Sequence, residues 1–220
     1  MVSADAAPAT PATPGPPATV PTGSTGSGAS GVVVGPDGRP RCPWARGARD
    51  YLAYHDLEWG RPLRGDDALF ERLSLEAFQS GLSWLTILRK REDFRRAFHR
   101  FSIPEVAEFG PADVARLLAD ATIVRNRAKI EATVANARVA VDLGEGLSEL
   151  LWSFAPTPRR PRPAGPADVP ATSPESAAMA RTLRRRGFRV VGPTTGYALM
   201  QATGMVDDHL SGCWVPVRPL

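Results

Sequence analysis

The chain contains two cysteines, and each stands near a histidine: Cys42 precedes His55 by thirteen positions, and Cys213 follows His209 by four. Two thiolates and two imidazoles make a closed tetrahedral zinc set, with no position left for a catalytic water. A fold that gathers all four must bring Arg41-Cys42-Pro43-Trp44 against Asp208-His209-Leu210-Ser211-Gly212-Cys213, clipping together the two ends of whatever folds between them. The competing reading is two free thiols buried as small hydrophobes beside two hydrogen-bonded core histidines. The mixed spacing leaves both readings open.

Residues 1–39 read as a disordered tail and 40–220 as the folded domain. The tail is rich in Ala, Pro, Gly, Ser and Thr and has no Lys or Arg before Arg39. Such a segment cannot bury enough apolar surface to offset its ordering entropy. It also lacks the basic start and the apolar stretch of a secretory signal, the longest candidate being Val32-Val33-Val34. Two thiols without an export signal point to a reducing, cytoplasmic setting in which they are available to a metal. No apolar run approaches the length of a membrane span. All 27 basic residues and 21 of the 23 acidic ones fall after residue 38, so the folded part carries about +6 and favours polyanions.

Helical periodicity dominates from residue 66 onward. Asp66 can cap a helix with Leu69, Phe70, Leu73 and Ala77 on one face and Gly81 as its stop, and Ser83 opens another through Trp84, Ile87 and Leu88. Ser102-Ile103-Pro104-Glu105 has the pattern of a capping box with proline in the first turn. Further helices are expected from Pro111 through Leu118, from about Arg125 to Val141, over Leu147–Phe154, from Ser173 to Gly187 and from Thr194 to Thr203. Residues 156–163 hold four prolines and read as an extended loop. Phe188–Val191 alone looks like a strand. The fold class is therefore all-α.

Several segments together resemble the DNA-3-methyladenine glycosylase I family, a branch of the helix-hairpin-helix base-excision glycosylases. They are Arg41-Cys42-Pro43-Trp44, Tyr54-His55-Asp56-Leu57-Glu58-Trp59-Gly60, Leu75 through Trp84, Ile123-Val124-Arg125-Asn126-Arg127-Ala128-Lys129-Ile130, Arg186-Gly187-Phe188 and Met200 through His209. The match runs in order over residues 41–216. It implies a helix-hairpin-helix glycosylase-like fold of two helical subdomains with a DNA cleft between them, and one structural zinc per chain on Cys42, His55, His209 and Cys213. It also implies a monomeric, monofunctional enzyme that flips 3-methyladenine out of double-stranded DNA and hydrolyses its glycosidic bond.

A flipped base needs aromatic faces to stack on and polar groups for its edge. By the resemblance, Glu76 accepts hydrogen bonds from the adenine edge, Trp84 stacks on the ring, and Tyr54 and Trp59, with Trp44, complete the wall. Gln79 to Leu82 would fill the gap left in the duplex, Leu82 as the apolar wedge. Arg125, Arg127 and Lys129 follow the hairpin Ala121-Thr122-Ile123-Val124 and would hold phosphate, with Thr122 standing where the family usually has Gly, and with lesser contributions from Arg159–Arg162 and Arg184–Arg186. Neither Lys90 nor Lys129 is expected to act as a lyase nucleophile. The alternative from another class is a zinc-stapled nucleic-acid-binding protein of the same fold without catalytic activity.

Overall fold

The structure, a computed structural model, describes residues 31–218. Residues 1–30 of the expected tail lie outside the described residues. Nine α-helices account for half of the described residues: α1 (Arg49–Leu57), α2 (Asp66–Gln79), α3 (Trp84–Ala97), α4 (Ile103–Ala107), α5 (Pro111–Ala119), α6 (Arg127–Val141), α7 (Leu147–Trp152), α8 (Pro174–Arg185) and α9 (Pro193–Ala202). No described helix is long and apolar enough to cross a membrane.

The central element is α2, which packs on α3, α6, α7 and α9. Asp66 and Asp67 occupy its first turn, where the helix dipole favours carboxylates, and Gly81 turns the chain away at φ +84°. Phe78, Phe94, Phe98 and Phe101 form an aromatic stack between α2 and α3, the last two rings lying 5.3 Å apart and nearly parallel. At the start of α3, Ser83 accepts a hydrogen bond from the Thr86 amide at 3.2 Å, the expected N-cap.

Four expectations are corrected. Asp66 does not cap α2: Gly65 holds the cap position without a side-chain bond, and the Asp66 carboxylate accepts instead from the Ser148 amide at 2.8 Å. The capping box at Ser102 does not form: the Ile103 amide donates to Asp67 of α2 at 2.9 Å, and Glu105 is drawn instead to His99 at 2.9 Å. Phe188–Val191 is not a strand. The Asn136 side chain takes both backbone groups of Arg189, donating to its carbonyl at 3.1 Å and accepting from its amide at 2.7 Å, and Val190 adopts φ +55°, which no strand accommodates. The strands among the described residues are instead β1 (Val33–Val34) and β2 (Pro40–Arg41), paired antiparallel. The expected boundary at residue 39 thus falls inside a hairpin, which Arg41 fastens by bonding Asp37 and Asp56 at 2.7 and 2.9 Å.

Residues 156–163 are neither helix nor strand, as their prolines dictate. Their arginines turn to protein rather than outward: Arg159 donates to the carbonyls of Gly204 and Arg218, and Arg162 to Asp207 and the Val215 carbonyl. The loop thereby straps the segment after α9 to the body of the fold.

Candidate active site and metal centre

Cys42 follows β2, His55 sits in the last turn of α1, and His209 and Cys213 lie in the turn beyond α9. All four are buried, and their candidate ligand atoms lie within 4.8 Å of one another. Cys213 Sγ stands 3.6 Å from both His55 Nε2 and His209 Nδ1, and Cys42 Sγ 3.9 Å from His209 Nδ1. These are three of the six donor–donor distances of the set, and they are of the size that a tetrahedral site with metal–nitrogen and metal–sulfur bonds of about 2.0–2.3 Å requires. The outer ring nitrogens are already occupied: His55 Nδ1 donates to Asp56 at 2.8 Å and His209 Nε2 to the Trp59 carbonyl at 3.1 Å. Each outer acceptor requires the proton on that side, which turns the lone pair of each ring inward. Asp56 is itself fixed by Arg41 and by the Trp214 indole. Gly60 is required here as well, since a Cβ at its φ of +75° would lie 3.1 Å from the His209 ring. The donor set fits a soft, four-coordinate metal ion.

Against this centre lies a cavity of about 810 Å³. Trp44, Tyr54, Trp59, Glu76, Gln79 and Trp84 all line it, so the structure brings together every base-site residue that the sequence suggested. Trp44 meets Trp59 edge-on at 5.0 Å, and the Tyr54 ring lies 5.4 Å from that of Trp84. Glu76, on α2, is 6% exposed and has no hydrogen-bond partner among the described residues. Burial pushes its carboxyl up to about 7, against the opposing field of Arg72.

Sequence reasoning missed four residues of this site. Arg72 lies behind the aromatic wall, bonded to the Tyr54 hydroxyl at 3.1 Å and 5.3 Å from the centre of the Trp84 ring. Its spacing of four from Glu76 places the two on one helix face, a signal available in the sequence. Tyr51, one turn before Tyr54 on α1, also lines the cavity. Gln201 and Asp208 close another wall, where Gln201 donates to Asp208 at 2.9 Å.

The expected DNA contacts separate. Leu82 is 42% exposed beside the cavity-lining Gln79, and Arg125 is exposed at the turn between α5 and α6. Arg127 is exposed too and pairs with Glu131 at 3.2 Å. Lys129 is engaged differently from expectation: its ammonium donates to the carbonyls of Phe78 and Ser80 at 2.9 and 2.6 Å, capping α2 and holding the Gln79–Leu82 turn. Thr122 keeps a negative φ, so the hairpin does not require glycine there. Asp120 accepts from its amide and hydroxyl at 2.9 and 2.6 Å, and Lys90 donates to its carbonyl at 2.7 Å.

A profile of the methyladenine glycosylase family matches residues 44–216. DNA-3-methyladenine glycosylase 1 of Escherichia coli K12 is 42% identical over 177 residues, which cover 79% of this chain and 95% of the relative. The crystal structure of a 3-methyladenine DNA glycosylase I superposes with a TM-score of 0.77 at 42% identity, over 79% of this chain and 98% of the other. The 3-methyladenine DNA glycosylase I of Staphylococcus aureus, a structure concerned with recognition of 3-methyladenine, gives 0.77 at 33% identity over 81% and 98%. With a helical scaffold, an aromatic cavity and a match across nearly all of its described residues, the chain belongs to the methyladenine glycosylase family.

Proposed function

We propose that this protein is a monofunctional DNA N-glycosylase that flips 3-methyladenine out of alkylated double-stranded DNA and releases it by hydrolysis, initiating base-excision repair. The observation that carries this reading is Glu76: a buried carboxylate without a protein partner, on the wall of an aromatic cavity. Burying such a group unpaired is costly, and the cost is recovered when a ligand supplies hydrogen-bond donors and positive charge. Adenine methylated at N3 supplies both in the intact nucleotide.

The extruded base stacks on Trp84 between Tyr54 and the Trp44–Trp59 pair, while Glu76 accepts from its edge. Water is displaced from the cavity, so the attraction between the carboxylate and the cationic base is strengthened. The glycosidic bond of such a base is already weakened, and the protein's task is to extrude, hold and orient it. Gln79 and Leu82 occupy the gap in the duplex, and Arg125 and Arg127 hold backbone phosphate. Neither lysine lines the cavity, and both donate to backbone carbonyls, which supports hydrolysis without a Schiff base.

Cys42, His55, His209 and Cys213 would hold one zinc ion, whose role is structural because all four positions are filled by protein. A binding protein of this fold without catalysis would not require the buried, unpaired Glu76. Base release from methylated duplex DNA, resolved by chromatography, tests the assignment: free 3-methyladenine should appear while the strand stays intact until base or heat is added. Intact alkylated DNA after prolonged incubation would favour the binding protein.

A further inference from the structure

Four carboxyl or amide side chains line the cavity, and the reading above uses two of them, Glu76 and Gln79. The others, Gln201 on α9 and Asp208 beyond it, form a network. Asp208 is 5% exposed, and its Oδ2 accepts from Gln201 Nε2 at 2.9 Å and from the Tyr197 hydroxyl at 2.5 Å. Arg160 stands 3.6 Å from the other oxygen. Only the nitrogen end of an amide can donate to a carboxylate, so this bond fixes which way the Gln201 amide points. Its Oε1 is left as an oriented acceptor with no donor among the described residues, on a wall otherwise formed in part by Ala198 and Leu210. An acceptor in such surroundings calls for a donor from outside the protein.

The substrate narrows what that donor is. A cavity of about 810 Å³ has the capacity of sites for drug-sized ligands and admits a sugar as well as a base. Glu76, on a different helix, already faces the base edge. Deoxyribose within a DNA strand carries no N–H or O–H donor, and neither does its phosphodiester. What remains is the water that hydrolysis consumes. We infer that Gln201 is a catalytic residue whose Oε1 holds the attacking water, with Asp208 and Tyr197 as positioning residues that fix the amide; the inference rests on the glycosylase reading. Water oxygen bonds to the anomeric carbon as the glycosidic bond breaks. The electron pair of that bond stays on the base, which leaves neutral because it entered as a cation, and the proton lost by the water passes to solvent.

Gln201→Met keeps the length of the side chain and removes the acceptor. Single-turnover excision from methylated duplex should slow about tenfold, the loss of one neutral hydrogen bond, while affinity for free 3-methyladenine stays within about twofold of wild type. A parallel fall in free-base affinity would mean that Gln201 reads the base, and an unchanged rate would remove it from the chemistry; either result overturns the inference. A second measurement needs no variant. In aqueous methanol, wild-type protein with a held water should form less methyl glycoside than the bulk alcohol-to-water ratio dictates, and product in the bulk ratio would equally overturn it. Failure of the wild type to release any base would instead strike the glycosylase reading.

Discussion

Arg72 stands one helical turn before Glu76, yet its guanidinium turns to the Tyr54 hydroxyl at 3.1 Å and towards Glu58 at 3.6 Å rather than closing an ion pair with Glu76. Glu58 is in turn held by both nitrogens of Arg91, at 2.5 and 2.9 Å. The arginine is thus committed to the wall of the cavity, and the Glu76 carboxylate remains available to a ligand.

The acid limb of excision should report this carboxylate. Because burial raises Glu76 to about 7, kcat/KM should fall as pH drops below about 7, and the limb of kcat should lie lower, since a bound cationic base favours the ionised form. The stability effect has the opposite sense. A folded value above the unfolded one means that the native state holds the proton longer, so stability declines from the ordinary carboxylate range up to about pH 7, by about 3 kcal/mol, and then levels off. Excision kinetics check the first and chemical denaturation the second, each on wild type and Glu76→Gln across this range, because the variant should show neither dependence.

Glu76→Gln should also keep the fold and the metal while weakening free 3-methyladenine by about 1.5–3 kcal/mol, the value of a hydrogen bond to a charged group. Trp84→Ala should lose about 1–3 kcal/mol through stacking instead. Calorimetric titration of the free base measures both; wild-type affinity in the glutamine variant would discard the pocket assignment.

Purified protein should contain one zinc per chain by elemental analysis. Asp56→Asn, which weakens the partner of His55 Nδ1, should lower metal affinity about 10–100-fold without touching a ligand. Cys42→Ala should lower the melting temperature far more than a typical surface substitution does. Metal-free protein of full thermal stability would contradict the assignment.

Lys129→Met should act through the turn it holds. With the carbonyls of Phe78 and Ser80 left uncapped, Gln79 and Leu82 lose their fixed placement, so excision from duplex should fall while free-base affinity is nearly kept. Arg125→Ala should behave differently, weakening DNA uniformly and reducing the salt dependence of binding by about one phosphate contact. Binding isotherms at several salt concentrations separate the two.

The helices were legible because their cues are local. The apolar spacing of α2 and the Ser83 cap need no knowledge of the rest of the chain, and both stand as read. The failures came where distant groups intervened: Asp67 displaced the capping box at Ser102, and Asn136 replaced the strand partner of Arg189. The Cys–His pairs were legible as a ligand set because few other arrangements employ those residue types together. Gln201 and Asp208 carried no such mark, since an amide and a carboxylate near a metal ligand acquire meaning only once the cavity is seen.

The Trp214 amide donates to the Pro40 carbonyl at 2.8 Å, so β2 of the opening hairpin and the segment just beyond Cys213 meet at the metal centre. In topological terms residues 31–218 are nearly a ring. A circular permutant, with a short linker across this junction and new termini in the proline-rich loop at residues 156–163, would supply covalently the closure that the metal centre makes by coordination. In that permutant, chelation should cost less stability than it does in the native connectivity, which turns the metal's contribution to chain closure into a measurable difference.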